Sequence, residues 1–186
     1  MQRIVFMRHS EPDYSFVIER NYIGHGLDLA HLTEAGIALA KTASLDSRLD
    51  DAEIIVSSPY TRALQTAAII SKNRHLDIQV ELGLHEWMPE LSFQYSSIEE
   101  AAMASKLCSA YKGVRPNDSK MKFENLEDVF NRAKAALLRY KQYTKIIVVA
   151  HGVVIQQFSF AHEIPFCGIS EIDFDDSFSW EGFVTH

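Results

Sequence analysis

Five residues with the chemistry to handle an oxyanion stand at comparable places along the chain. Arg8-His9 closes the apolar run Ile4-Val5-Phe6-Met7, and His151 closes Ile146-Ile147-Val148-Val149-Ala150. Arg62 follows a third run, Ile54-Ile55-Val56, beyond Ser57-Ser58-Pro59, and Glu86 follows the alternating segment 77–82. Taken singly, each has an ordinary reading: a strand-end histidine, a helix-surface cation, a solvated acid. Together they have a chemistry. Guanidinium groups present planar forks of donors that match phosphate oxygens. A neutral imidazole is a nucleophile when one ring nitrogen is free and the other keeps its proton by donating to a carbonyl. Arg8 and Arg62 would lower the pKa of His9 and favour that neutral form. A carboxylate nearby can protonate a leaving oxygen and then activate water. The set reads as an oxyanion site for a phosphoryl group.

Such a group forms only if the fold brings four separate segments to one place. Residues 2–7, 53–57, 77–82, 145–150 and 169–174 read as strands, short and rich in β-branched residues. Helices are expected between them. One starts after the N-cap Thr33, with Glu34 at its positive end and a Leu32–Ile37 staple. It runs to about residue 49 with Leu32, Ala35, Leu39, Thr42 and Leu49 on its face. A second has Ser58 as N-cap and Pro59 at the first helical position, which places Arg62 in its first turns. Others cover 98–111, the amphipathic stretch capped by Asn125, and 153–161, with a last segment at 178–184. Alternating strands and helices predict an α/β fold: a three-layer αβα sandwich with a mostly parallel central sheet and right-handed crossovers. Ligands then sit beyond the carboxyl ends of the strands, where all five residues fall. The long loop after the first strand is expected to cover the site. Tyr14, Phe16, Tyr22, Trp87, Phe93 and Tyr95 are candidates for its mouth, or for plain packing.

The 186 residues, 47% of them hydrophobic, suit one globular domain over 1–186, with a small cap from about 88–124. A net charge of −7 argues against a nucleic-acid partner. The N-terminus runs straight into a strand-like segment without a signal-peptide pattern, and the longest aliphatic run is too short to span a bilayer. A cytoplasmic location with no membrane partner is expected, and Cys108 and Cys167 are expected as reduced thiols. No Gly-x-Gly-x-x-Gly follows the first strand, and no His-x-x-x-His pair or carboxylate cluster offers metal-ligand spacing.

The blocks Arg8-His9-Ser10-Glu11, Leu32-Thr33-Glu34-Ala35-Gly36, Ser57 through Ala67 (SSPYTRALQTA), Leu84-His85-Glu86 and Val148-Val149-Ala150-His151-Gly152 resemble, in order, the motifs of the histidine phosphatase superfamily, the phosphoglycerate mutase-like family. The resemblance implies a phosphoglycerate mutase-like fold and a histidine acid phosphatase-type phosphomonoester hydrolase. His9 would be the phosphorylated nucleophile, Arg8, Arg62 and His151 the phosphate ligands, and Glu86 the proton donor, with Glu81 and Glu90 as nearby competitors. Ser10 stands where the family has glycine; it either keeps the turn or adds a substrate contact through its hydroxyl. No cofactor and no metal are implied, since the cations replace one. The expected partner is a small phosphorylated substrate or a phosphoprotein, with a phosphate or sulfate ion suited to the pocket. Two other readings stand beside it. The family's mutases share the chemistry but carry longer substrate-closing segments than this compact chain. A non-catalytic phosphate-binding module would be signalled by loss of His9 or of the acid, and both positions are filled.

Overall fold

A computed structural model describes residues 1–159, 161 and 163–183. Strands β1 (Gln2–Arg8), β2 (Ile54–Ser57), β3 (Ile78–Val80), β4 (Lys145–Ala150) and β5 (Ile169–Phe174) form one sheet in the order β3-β2-β4-β1-β5. The first four are mutually parallel, and β5 runs antiparallel against β1 at the edge. Helices α2 (Glu34–Ala43) and α3 (Thr61–Arg74) cover one face, and α5 (Leu126–Leu137) and α6 (Gly152–Ser159) cover the other. Alternation along the strands makes the two cores. Val5, Met7, Ile55, Ile147 and Val149 point to Ala40, Ala63, Ala67 and Ile70. Ile4, Phe6, Val56, Ile146 and Val148 point to Phe130, Leu137, Ile155 and Phe158. Each fully buried aliphatic chain contributes about 1.5–3 kcal/mol.

The three-layer reading of the sequence is what is observed, with local differences. The helix after Thr33 stops at Ala43, and residues 47–49 form a separate 3₁₀ turn. Arg74 of α3 ends it: the guanidinium donates to the Ser44 carbonyl at 2.7 Å and to the Asp46 carbonyl at 2.7 Å. The buried face is also not the one predicted. Gly36 and Ala40 are buried, while Ala35, Leu39 and Thr42 are exposed. The cause is close backbone packing: a Cβ on Gly36 would lie 2.4 Å from the Glu11 carbonyl oxygen. A small-residue face therefore turns inward in place of the leucine face. Thr33 does cap the helix, accepting from Gly36 N–H at 2.8 Å, and its hydroxyl donates to Glu11 Oε2 at 3.0 Å. The third strand is shorter than expected, the helix after His151 ends at Ser159, and residues 178–183 form neither helix nor strand; residue 184 lies outside the described residues.

The roof over the strand ends comes from two places. Between β1 and α2 the chain forms α1 (Ser15–Glu19) and a 3₁₀ turn at Gly24–Leu29. Val17, Leu27 and Ala30 pack with Tyr95, which precedes α4 (Ile98–Ala110), into a small core of their own. Gly24 is needed here: it has φ +54°, and a Cβ would sit 1.9 Å from the Phe93 carbonyl oxygen. Both cysteines are unpaired and buried.

Candidate active site

Strand register gathers the site. Arg8 pairs with Ala150, and Ser57 with Val149. The next residues, His9, His151 and Ser58, therefore emerge side by side from β1, β4 and β2. The His9 N–H donates to the Ala150 carbonyl at 2.9 Å and the Ser58 N–H to the Val149 carbonyl at 2.9 Å, which carries the ladder one step past the strands. The imidazole centroids of His9 and His151 are 5.0 Å apart.

His9 is held as a free base. Its Nδ1 lies 2.7 Å from the Ser10 carbonyl oxygen, which only accepts, so the proton belongs on Nδ1 and the lone pair on Nε2. The Arg62 Nε–H donates to that lone pair at 3.2 Å. Burial pushes the His9 pKa down to about 3; the Arg62 and then the Arg8 guanidinium add to the shift, and the Ser10 carbonyl opposes it. Arg62 stands in the first turn of α3, one turn before Thr66, whose hydroxyl donates to the Arg62 carbonyl and accepts from Ser10 N–H. A further guanidinium nitrogen of Arg62 donates to Asp28 Oδ1 at 3.0 Å, in the roof's 3₁₀ turn. The sequence contained no sign of Asp28: it is one acid in a loop, and only the folded roof places it on Arg62.

Arg8 donates to the Ile164 carbonyl at 2.6 Å, and its guanidinium lies over the Phe166 ring. Its Nε is buried and has no hydrogen-bond partner among the described residues, and the same holds for His151 Nδ1. His151 Nε2 is 2.7 Å from Ser58 Oγ, which itself accepts from Tyr60 N–H at 3.3 Å. This contact occupies Nε2 and leaves Nδ1 as the ring nitrogen open to a ligand. The site then holds two buried nitrogens, Arg8 Nε and His151 Nδ1, with no hydrogen-bond partner among the described residues. Such groups are costly to bury unless a ligand takes them up. This role for Ser58 corrects its expected place as N-cap: α3 starts at Thr61 after Tyr60, and the Ser58 hydroxyl fixes an imidazole instead.

Glu86 follows a 3₁₀ turn at Leu82–Leu84 and lines the same cavity as Arg62 and Asp28. Burial raises its carboxyl pKa, against the Trp87 N–H, which donates to Oε1 at 2.8 Å, and the more distant Arg62, Arg132 and Arg8. Its two competitors are engaged elsewhere. Glu81 accepts from the Tyr140 hydroxyl at 2.7 Å and pairs with Arg139. Glu90 caps its own turn, taking the Ser92 N–H at 2.7 Å, and its pKa is lowered. The backbone carrying Glu86 is clamped by Arg132 of α5. That guanidinium donates to the carbonyls of Gly83 and His85 at 2.7 Å and of Glu86 at 3.2 Å, and is itself held by Glu124 at 2.7 Å. Arg132 was not singled out from the sequence, where it is one more polar residue on an amphipathic helix.

Ser10 departs from one expectation. It is fully buried, and its hydroxyl donates to the Gly36 carbonyl at 2.7 Å, so it ties β1 to α2 instead of turning toward an anion. Of the six aromatics proposed for the mouth, Tyr14, Trp87, Phe93 and Tyr95 line a cavity of about 330 Å³ beside Arg62 and Glu86; Phe16 and Tyr22 do not, and Tyr60 joins the wall. Among the described residues no cluster of three or more His, Cys, Asp or Glu has the geometry to hold a metal ion.

A buried, neutral imidazole between two arginines and a second histidine, at the carboxyl ends of a parallel sheet, defines a class of phosphate-handling αβα proteins. The family model of the histidine phosphatase superfamily, branch 1, matches residues 4–176, and the chain belongs to that superfamily. Solved structures agree in fold. A mycobacterial glucosyl-3-phosphoglycerate phosphatase superposes with TM-score 0.68 at 21% identity, over 91% of this chain and 89% of that one. A putative α-ribazole-5′-P phosphatase from Escherichia coli gives 0.66 at 20% identity, over 98% and 96%. A phosphoserine phosphatase from Entamoeba histolytica, in complex with 3-phosphoglyceric acid, gives 0.63 at 22% identity, over 92% and 90%. No protein of curated function matches the sequence significantly.

Proposed function

We propose that the chain hydrolyses phosphomonoesters through a phosphohistidine on His9. One observation carries this reading: His9 is buried, neutral and held by Ser10 in the tautomer that leaves Nε2 nucleophilic, beside two buried nitrogens, Arg8 Nε and His151 Nδ1, without a partner among the described residues. In the first step the substrate phosphate draws Arg62 off Nε2. That nitrogen then attacks phosphorus in line as the ester P–O bond breaks. Arg8, Arg62 and His151 balance the charge on the equatorial oxygens. Glu86, whose pKa burial raises, gives its proton to the departing alkoxide. In the second step the Glu86 carboxylate takes a proton from water, the water oxygen bonds to phosphorus, and the P–N bond breaks. Orthophosphate leaves and His9 is again a free base. The superfamily assignment supports the reaction class, and the phosphatases among the solved structures of like fold are consistent with it.

The test is to trap the intermediate. Rapid quench of the chain with a labelled aryl phosphate should yield one acid-labile, alkali-stable phosphoryl group on His9, with orthophosphate as product. His9→Ala should remove both label and turnover. Label on another residue, or turnover surviving in His9→Ala, overturns the mechanism; phosphate returned to an acceptor ester in place of orthophosphate would make the chain a mutase.

A further inference from the structure

The cavity that receives the leaving group has its own chemistry, distinct from that of the phosphate cradle. Its described wall is mostly apolar, with Tyr14, Tyr60, Phe93 and Tyr95 turned to the space above Arg62. Burial raises the pKa of all three phenols, Tyr95 to about 12, so they are neutral at ordinary pH. Besides Glu86 the other acids in the described wall are Asp28 and Glu90. Arg62 is the only cation among the described residues lining the cavity. It is committed to His9 and Asp28, and in the reaction to the phosphate. Arg132, which clamps the backbone behind Glu86, is engaged by Glu124 and by backbone carbonyls, and Arg8 belongs to the phosphate cradle. A second anionic group on the leaving alcohol would therefore lose its hydration with no counter-charge to meet, and with Asp28 and Glu90 beside it. A flat apolar group would meet aromatic faces, which give up little entropy and much surface. The size, about 330 Å³, is that of a small-ligand pocket.

Resting on the phosphatase reading, we propose that the site selects phosphomonoesters of uncharged arylalkyl or aryl alcohols and discriminates against esters bearing a carboxylate or a second phosphate. The choice is made by the wall facing the leaving group, and the phosphate cradle is indifferent to it.

The experiment compares kcat/KM of the intact chain for phenethyl phosphate, glycerol phosphate and phosphoglycerate. All three leave as alkyl alcohols, so protonation by Glu86 is demanded alike. Phenethyl phosphate is expected to lead phosphoglycerate by on the order of a hundredfold, with glycerol phosphate between. Glu90→Arg should narrow that ratio at least tenfold by raising the phosphoglycerate value. Phe93→Ala should raise KM for phenethyl phosphate by a larger factor than KM for glycerol phosphate, and an equal rise for both would overturn the role of the aromatic wall. Equal values, or a preference for phosphoglycerate, with His9-dependent turnover would overturn the selectivity and leave the phosphatase reading standing. If no ester is turned over, that reading fails, and calorimetry with the non-hydrolysable phenethylphosphonate and phosphonopropionate decides the wall's role. Binding of the first at least tenfold tighter supports it, and equal binding overturns it.

Discussion

Replacing Glu86 by Gln removes one proton from the site and little else. Gln keeps an oxygen to accept the Trp87 N–H now bound at 2.8 Å, and it has the size of the protonated acid. Because burial raises the Glu86 pKa above the ordinary 4.5, this carboxyl costs the folded protein stability as pH rises through and beyond 4.5. A neutral amide does not ionise, so the variant should fold as well as the parent or better. Its catalytic cost depends on the ester. General acid catalysis is worth roughly 10²–10⁴-fold, or about 3–5 kcal/mol of barrier. An alkyl alkoxide needs all of that help, and a nitrophenolate needs almost none. The phosphorylation step should therefore slow by roughly 10²–10⁴-fold for alkyl esters and by less than about threefold for nitrophenyl phosphate. The second step complicates a steady-state assay, since Glu86 also serves there as base and phosphohistidine hydrolysis would slow for every ester. Stopped-flow measurement of the first turnover separates the two. Glu86→Gln should show a full burst of nitrophenolate followed by a slow steady state, and no burst with alkyl esters. A plot of burst rate against leaving-group pKa should be steeper for the variant than for the parent. Parallel lines would refute the reasoning, because they would mean that another group donates the proton.

Acid should destabilise the chain through its buried histidines. His9 binds its proton near pH 6.5 when unfolded but only near pH 3 when folded, so the unfolded state gains protons first as pH falls through that window. Stability present above pH 6.5 is then lost towards pH 3, by at most about 5 kcal/mol at ~1.4 kcal/mol per unit. His151 shifts the same way. Urea melts should show the loss, and His9→Gln should reduce it. Asp28→Asn frees an Arg62 donor from a carboxylate at 3.0 Å, so orthophosphate should bind roughly fivefold more tightly by calorimetry, as befits a pair worth about 1 kcal/mol; unchanged affinity would mean that Asp28 does not compete for Arg62. Activity should survive prolonged treatment with excess chelator, and loss that added metal restores would refute the reading of Arg8, Arg62 and His151 as sufficient for the phosphate.

The architecture was legible because it rests on local pattern. Short, β-branched apolar runs such as residues 146–150 fit strands buried on both faces, and their alternation with helical segments implied the crossovers. Once the sheet is parallel, residues that follow the runs must share an edge, so Arg8, His9, Arg62 and His151 converge without any knowledge of side-chain contacts. The errors have one physical source. The face of α2 was read from hydrophobicity, while the helix is oriented by how near Gly36 lets the backbone of Glu11 approach. The role of Ser58 was read from helix-cap statistics, while its hydroxyl is claimed by His151, 93 positions away. Asp28 and Arg132 act only through partners in other segments, Arg62 and the carbonyls around Glu86. Periodicity carries no information about such pairings.

The same low dielectric sets all three protonation states that the proposed reaction needs. Burial lowers His9 and His151 and raises Glu86, so it favours the uncharged form of nucleophile, second imidazole and acid alike. The arginines remain charged because their pKa lies too high for burial to discharge them. Neighbouring charges only trim these shifts: for each of the three groups desolvation is the largest cause. Opening the site to water should therefore do more harm than deleting any one distant charge. The roof of α1, the 3₁₀ turn and Tyr95 is thus part of the acid–base machinery even where it touches no substrate. Loosening it with a bulky residue at Gly24, where a Cβ would collide with the Phe93 carbonyl, should raise the pKa of His9 and lower that of Glu86 together. Both shifts reduce the fraction of molecules with nucleophile and acid ready at once, so the pH–rate profile should narrow and fall. A uniform loss with no change in its shape would point to misfolding instead.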